Sequence, residues 1–312
     1  MDYPMVSVVV PVFNAETTIA HVVQSLLSQT YPGLTEVILV DDGSTDQTSE
    51  ILKSFPEIIY LKQNNAGPAA ARNRGATESR GDFILFTDSD CIAHKDWMAQ
   101  IVDGFKDPRV GAVCGSYGIA NPQKILAACI HSEIIYRHRI VMPVYPRAFG
   151  SYNVGIRREV FFCVGGFNEY YRQASGEDND LSYKIINKGW LIYLNKSALV
   201  DHFHTTKVVK YLKEQFRHGF WRAKMYGDHP AMARGDDYTF WKDIFEVPVV
   251  CLVLVFTALL GYERYTSSIL LIIVCGFLLL EFIFANLFCV KFFSKIFFTF
   301  VMFFRAFARV FG

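Results

Sequence analysis

The chain has 312 residues, a net charge of +1 and hydrophobic residues at 52% of its positions. Such a length accommodates one two-part catalytic domain of about 240 residues plus a tail, and the near-neutral balance excludes the basic excess of a nucleic-acid binder. The seven cysteines, at 91, 114, 129, 163, 251, 275 and 289, form no Cys-x-x-Cys pair, which fits a reducing compartment and argues against zinc.

The first element is a β-branched run, Val6-Ser7-Val8-Val9-Val10-Pro11-Val12-Phe13-Asn14, too short for a helix and punctuated by proline. With Pro4 before it and Pro11 near its end, it reads as a strand and not as a secretory leader. Residues 15–28 follow with Ile19, Val22, Val23, Leu26 and Leu27 on one helical face. Val37-Ile38-Leu39-Val40 predicts a second strand, ending in Asp41-Asp42-Gly43-Ser44-Thr45-Asp46, where Ser44 or Asp46 suits a helix N-cap. A further helical stretch, a short strand at 58–61 and the helix start Gly67-Pro68 precede the strand Asp82–Thr87. This last strand closes on Asp88-Ser89-Asp90.

Strands alternating with helices predict a mainly parallel sheet whose ligands sit beyond the carboxyl ends of the strands. Asn14, Asp41-Asp42 and Asp88-Ser89-Asp90 all fall at such ends. Two carboxylates one residue apart at a strand end can address a single hard divalent cation on a diphosphate. Cys91, beside them, reads as a packing residue, because Mg²⁺ and Mn²⁺ prefer oxygen.

Farther on, Gly176-Glu177-Asp178-Asn179-Asp180 leads into an apolar stripe at Leu181, Ile185 and Ile186 that Gly189 ends. Acidic residues suit a helix start through the macrodipole, whatever chemistry they do. A strand pattern before His202 and His204 makes either histidine a candidate for metal or diphosphate. Residues 215–222, Gln-Phe-Arg-His-Gly-Phe-Trp-Arg, form an amphipathic helix. Its Arg217 and Arg222 suit a phosphate clamp or a basic face near lipid headgroups.

Composition shifts near residue 244. Phe245–Tyr262 has Glu246 as its only charge and Thr266–Val290 only Glu281, which predicts a transmembrane hairpin turning at Glu263-Arg264. Lys291 and Lys295 mark the side of return as cytoplasmic. The phenylalanine-rich stretch 292–312, with Lys295, Arg305 and Arg309, is expected to lie in the interface or to cross again, the interface being preferred. Glu281 within a span calls for a partner, and none stands nearby in the sequence.

Five segments in succession, Pro11-Val12-Phe13-Asn14, Ser25-Leu26-Leu27-Ser28-Gln29-Thr30, Asp41-Asp42-Gly43-Ser44-Thr45-Asp46, Ala71-Arg72-Asn73-Arg74-Gly75 and Asp88-Ser89-Asp90, resemble the signatures of family 2 glycosyltransferases. The resemblance is dense over residues 5–115 and looser to about residue 225. It implies an α/β, GT-A fold: a nucleotide-sugar-binding half at 1–115, an acceptor-binding half with the catalytic base at 116–243, and a membrane anchor at 244–312. It also implies that Pro11 and Asn14 lie under the nucleotide and that Asp41 or Asp42 accepts hydrogen bonds from base or ribose. Asp88 would reach the ribose, and Asp90, with Asp88 and His202, would hold Mg²⁺ or Mn²⁺. Arg72 would touch phosphate or brace the carboxylates, with Arg74 as its neighbour, and Arg217 or Arg222 would join the donor site.

Glu177-Asp178 resembles the family's Glu-Asp pair. On that likeness Asp178 is the base, kept ionised by the helix N-terminus, Glu177 binds acceptor hydroxyls, and Asp180 is a weaker rival. The implied reaction is inverting transfer from a nucleoside-diphosphate sugar, UDP-sugar before GDP-sugar, to a hydroxyl of a lipid-linked or cell-surface glycan at the cytoplasmic face of the cell membrane. One departure stands out: processive members carry Gln-x-x-Arg-Trp, whereas Trp221 here precedes Arg222, which argues against processive polymerisation. Two other classes fit less well. A nucleotidyltransferase would show a glycine-rich, basic loop after the first strand, and residues 11–20 hold neither glycine nor a basic residue. A non-enzymatic membrane scaffold has no use for carboxylates at three strand ends.

Overall fold

The computed structural model describes residues 3–140, 142–172, 176–228, 241–262 and 265–312. The first half alternates as β1 (Val6–Val12), α1 (Ile19–Leu27), β2 (Thr35–Asp41), α2 (Thr48–Lys53), β3 (Ile59–Lys62), α3 (Pro68–Glu78) and β4 (Phe83–Thr87). Then come β5 (Cys91–Ala93), α4 (Trp97–Asp103), β6 (Val110–Ile119), α5 (Ile125–Ile140), β7 (Asn153–Arg157), α6 (Arg158–Cys163), α7 (Glu177–Asn187) and β8 (Leu191–His202). Four helices complete the chain: α8 (Val208–Asp228), α9 (Trp241–Ala258), α10 (Thr266–Phe288) and α11 (Phe292–Phe311).

By contact density the chain separates into two compact units, residues 1–120 with 143–203, and residues 121–142 with 204–312. The boundaries differ from the three consecutive segments expected from sequence, because α5 leaves the sheet between β6 and β7 and groups with α8 to α11.

The first unit is an eight-stranded sheet in the order β3-β2-β1-β4-β7-β6-β8-β5. β1 to β4 run parallel, as the alternation predicts; β7 is antiparallel to both β4 and β6, and β6 pairs β8 in parallel. All seven residues of β1 are buried, which explains why it reads as an unbroken apolar run. Pro11 is tolerated in this central strand because β1 pairs β4 only from Val6 to Val9, so no ladder bond to β4 is lost at position 11. Asn14, just past β1, takes a left-handed backbone (φ 49°), a conformation asparagine adopts more readily than most residues.

Gly67 begins α3 with φ 95°, and Pro68 takes the first helical position, where its missing N–H costs nothing. A Cβ on Gly67 would lie 2.5 Å from the carbonyl oxygen of Arg172. Space and backbone conformation thus both demand glycine at this point.

The second unit is helical, and its centre is ionic. Arg305 on α11 meets Glu133 on α5 at 2.7 Å, and Arg137 on α5 bridges Glu133 at 2.7 Å and Asp243 on α9 at 2.6 Å. Arg309 joins Asp243 at 2.9 Å and Gln215 of α8 at 2.8 Å. Lys242 pairs with Glu246 and, at 2.8 Å, with Glu281 of α10. Four cations and four carboxylates therefore close on one another, and most are almost fully buried. Burial would raise the Glu133 carboxyl, but Arg305 and Arg137 outweigh it and hold the pKa at about 2.

These contacts supply the partner that Glu281 lacked in the sequence reading: Lys242, 39 positions earlier and just ahead of the composition shift. They also alter the expected hairpin. α9 carries Lys242, Asp243 and Glu246 in its first two turns and Pro248 inside. Among the described residues only α10 is long and apolar enough to cross a membrane. The expected turn at Glu263-Arg264 lies outside the described residues.

Gly67→Ala should destabilise the first unit by about 1–3 kcal/mol through the forced left-handed backbone and the carbonyl contact. Denaturant unfolding checks this; an unchanged midpoint would mean that α3 can shift away from Arg172 without penalty.

Candidate active site

The polar rim predicted at the strand ends exists, and its parts divide the work differently from the expectation. At the end of β1, the Asn14 side-chain oxygen accepts the Thr45 N–H at 2.8 Å, while the Asn14 N–H donates to Ser44 Oγ at 3.0 Å. The loops after β1 and β2 are thereby tied together. Asp46 accepts the N–H groups of Glu16 and Thr48, the structural role the sequence suggested; burial works against its ionisation, but these hydrogen bonds win and lower its pKa.

Asp41 meets protein groups where base or ribose was expected. It is fully buried; one oxygen accepts the Ser44 N–H at 2.8 Å, and the other takes the hydroxyls of Ser49 and Tyr60. Burial alone would raise its pKa, yet these donors hold it below the ordinary value. Both of its oxygens thus meet donors from inside the protein. Asp42, 3% exposed, accepts from Gln63 Nε2 and from the Ala66 and Gly67 N–H groups, each at 2.8 Å. It clamps the loop that delivers the start of α3.

Arg72, on α3, is 2% exposed and lies between two carboxylates, Asp88 at 2.7 Å and Glu177 at 3.0 Å. Its guanidinium also sits 5.3 Å from the centre of the Phe167 ring. These contacts brace the two carboxylates, one of the two roles expected for Arg72. The next residue, Asn73, reinforces it: Nδ2 donates to the Phe167 carbonyl and Oδ1 accepts the Phe167 N–H, both at 2.9 Å. Arg74 faces outward and donates to the Lys62 carbonyl. The Arg72-Asn73 dipeptide therefore fastens the segment that leads into α7 against α3, a role that sequence reading left unassigned for Asn73.

Glu177 and Asp178 begin α7. Glu177 is buried, with one oxygen on Arg72 and the other accepting the Gly176 N–H at 3.1 Å. Each of its oxygens therefore meets a protein group, where acceptor hydroxyls were expected. Asp180 is paired with Lys184 at 2.6 Å. Asp178 remains: half-buried, its Oδ1 accepts the Asn179 N–H at 2.8 Å. Burial, and then the adjacent Glu177 carboxylate, push its pKa up to about 7. The helix N-terminus does not keep it fully ionised, contrary to expectation, because desolvation outweighs the dipole.

At the other end of the rim, Asp90 Oδ1 lies 3.4 Å from His202 Nε2. Asp90, Cys91 and His202 offer ligand atoms within 4.8 Å of one another. Burial, and then Asp90 and Asp88, push the Cys91 thiol well above its usual range, so it stays protonated and is a poor ligand. What is left, a carboxylate oxygen and an imidazole nitrogen beside Asp88, is a donor set that Mg²⁺ or Mn²⁺ accepts. Tyr117 stacks on Tyr152 at 3.8 Å and meets the His202 ring edge-on at 5.7 Å, fixing the imidazole from the side. Nothing in the sequence pattern pointed to that aromatic pair.

Three candidates belong to the second unit. His204 is buried there, joined through its backbone to Asn121 and facing the ring of His131. Arg217 is exposed on α8, and the side chain of Arg222 lies outside the described residues.

An acidic rim at the carboxyl ends of a parallel half-sheet, tied through Arg72 to the start of α7, defines an α/β protein whose site lies at the strand ends. Comparison with known sequences makes this specific: the profile of glycosyl transferase family 2 matches residues 7–174, and the chain belongs to that family. It is 31% identical over 235 residues to a pre-mycofactocin glycosyltransferase of Mycobacterium tuberculosis, covering 72% of this chain and 48% of that protein. It is 27% identical over 237 residues to the glycosyltransferase GlyA of Streptococcus pneumoniae, covering 68% and 32% respectively. The chain thus spans half or less of the length of these relatives. Among solved structures, the mannosyltransferase PcManGT of Pyrobaculum calidifontis, in complex with GDP-Man and Mn²⁺, superposes with a TM-score of 0.54 at 18% identity, over 87% of this chain and 84% of that one. The S. aureus TarS fragment 1–349 gives 0.51 at 20% identity, over 70% and 65%. These likenesses establish the GT-A fold expected from the sequence.

Arg72→Ala would leave Asp88 and the buried Glu177 without their shared cation and should cost about 3–5 kcal/mol of stability. Arg72→Lys should recover only part of this, since a point charge cannot fork between two carboxylates. Chemical denaturation of the two variants measures both values.

Proposed function

We propose that the chain is an inverting, metal-dependent glycosyltransferase that moves a sugar from a nucleoside-diphosphate sugar to an acceptor hydroxyl. The observation that carries this reading is the Arg72 bridge, which ties Asp88 at the donor rim to Glu177, next to Asp178. Asp178 is the base. It takes the proton of the acceptor hydroxyl as that oxygen bonds to the anomeric carbon and the bond from that carbon to the diphosphate breaks, releasing the nucleoside diphosphate. A carboxylate near pKa 7 can accept a proton at neutral pH and later release it.

Pro11, Asn14 and Asp42 shape the nucleotide side of the pocket, with Asp88 toward the ribose. Asp90, with Asp88 and His202, is proposed to hold Mg²⁺ or Mn²⁺, which when bound offsets negative charge on the departing diphosphate. Mn²⁺ and a nucleotide sugar in the Pyrobaculum mannosyltransferase support this assignment. Arg217 and Arg222 are proposed phosphate contacts of the second unit. A UDP-sugar is the donor proposed, with a GDP-sugar as its competitor. The acceptor proposed is a lipid-linked or cell-surface glycan, met at the cytoplasmic face of the cell membrane. In support, α10 has the length and apolar composition to enter a bilayer.

Asp178→Asn should retain donor binding by calorimetry and lose about 10²–10⁴-fold in turnover, the range typical of a missing general base. Near-wild-type turnover would exclude Asp178. Because the raised pKa leaves the base protonated in acid, kcat/KM should fall tenfold per pH unit below about pH 7 and level off above it.

Chelation should abolish transfer, and added Mn²⁺ should restore it. Asp90→Asn should raise the Mn²⁺ concentration needed for half-maximal rate. A rate indifferent to chelator would remove the metal from the scheme, and a calorimetric panel of UDP- and GDP-sugars decides the donor.

A further inference from the structure

We propose that Asn153 is a positioning residue of the metal site: its side chain fixes the register in which β8 delivers His202 to Asp90. The inference rests on the metal reading of Asp90 and His202 given above, and adds to it a residue that is not itself a ligand.

The two sides of that site arrive on different strands. Asp88 and Asp90 follow β4, His202 ends β8, and β7 and β6 lie between those strands in the sheet. The ladder from β6 to β8 is irregular. Cys114 pairs with Leu194 and Ser116 with Leu199, so β8 advances five residues while β6 advances two. Beyond this bulge the strands pair again, and Ile119 meets His202. There Cys91 of β5 pairs with His202, and the Phe203 N–H donates to the Asp90 carbonyl at 2.9 Å.

Asn153 bridges the interval. Its backbone lies opposite Thr87, the residue before Asp88. Its side chain is buried, and Nδ2 donates to the Ser116 carbonyl of β6 and the Ala198 carbonyl of β8, both at 2.9 Å. Pairing resumes at Ser116 and Leu199, the latter adjoining Ala198. Gly115 leaves room for the reach: a Cβ there would lie 2.3 Å from Asn153 Nδ2 and 2.1 Å from the Ala198 carbonyl oxygen. Oδ1 accepts the indole N–H of Trp97 on α4 at 2.7 Å. That contact settles which way the amide points, since only its oxygen can accept.

Register is the quantity at stake. Strand side chains alternate between faces, so a slip of one residue in β8 puts Asp201 or Phe203 where His202 stands. A bulge re-aims the strand beyond it, and a side chain bonded at both edges of the bulge holds one course. Tyr117 and Tyr152, the chain neighbours of Ser116 and Asn153, stack beside the His202 ring. The same bonds therefore also seat the imidazole.

Manganese binding separates this role from general stability. In the full chain with UDP present, free Mn²⁺ is followed by electron paramagnetic resonance through a titration. Asn153→Ala should raise the Mn²⁺ concentration at half-saturation about 10–100-fold, the range typical of losing a group that orients a ligand. Excess Mn²⁺ should then restore turnover, because Arg72, Glu177 and Asp178 keep their contacts. Trp97→Phe, which removes only the bond to Oδ1, should lower the unfolding midpoint and leave Mn²⁺ binding as in wild type. Asn153→Leu, which fills a similar volume without donors, takes the place of the alanine variant if that one does not fold. Wild-type Mn²⁺ affinity in a folded Asn153 variant overturns the proposal, and so does equal weakening by Trp97→Phe. His202→Ala tests the underlying reading: unchanged Mn²⁺ binding there removes His202 from the metal site and the proposal with it. Weakened binding in His202→Ala beside unchanged binding in Asn153→Ala removes the proposal alone.

Discussion

The catalytic unit is organised around a guanidinium that has almost no contact with water. Arg72 sits 2% exposed between Asp88 and Glu177, residues 16 and 105 positions away. Arg72 and Glu177 are removed from water while Asp88 stays 31% exposed, and mutual attraction repays that desolvation only in good geometry. The arginine fork meets both carboxylates, and the Phe167 ring covers its face. Everything around it holds that geometry: Asp42 fixes the loop before α3, Gly67 lets the Arg172 carbonyl approach, and Asn73 clips the Phe167 backbone. An arrangement this demanding is a strong constraint on where α7 begins.

That constraint carries a consequence for the neighbouring residue. Glu177 is paired with Arg72, so Asp178 shares its desolvated corner with a neighbouring carboxyl group. Burial first, and then the Glu177 carboxyl, put its pKa at about 7, although the Asn179 N–H and Arg72 pull it down. A carboxyl of this kind is a stronger base than an exposed aspartate and is still ionised in a useful fraction at neutral pH. Glu177 itself is held by Arg72 on one oxygen and by the Gly176 N–H on the other.

Much of this was legible in the residues, and the gaps have physical causes. The strand run of β1, the Pro68 helix start and the order of motifs lie in local sequence, so the parallel half of the sheet could be read directly. Antiparallel β7 could not, since Asn153–Arg157 is too short to carry a pattern and takes its place from pairing with β4 and β6. In the site, residue types identified the acidic rim but not who faces whom. Asp41 and Asp42 look equivalent in sequence, yet the first is closed off by Ser49 and Tyr60 and the second by the backbone of residues 66–67. Glu177 and Asp178 differ in the same way. Which of two adjacent carboxylates turns inward depends on a partner 105 positions away, and no local rule supplies that.

The second unit shows the same principle in an apolar setting. Hydropathy identified α10 and set Glu281 against it as an anomaly. The anomaly disappears once Lys242 is recognised as part of the unit and not as the end of the preceding domain. Charges that look misplaced along the chain prove to be the fasteners between helices: each of α5, α9, α10 and α11 contributes at least one ion, and α8 adds Tyr211 and Gln215. Apolar packing alone would let helices with such phenylalanine-rich faces slide along one another, whereas paired ions set a single register, as polar residues do in coiled coils. The ionic layer thus separates two apolar clusters, one formed with α5 and α8 and the other among α9, α10 and α11. A tail built in this way is a folded module, because one ionic layer joins α5, α9, α10 and α11.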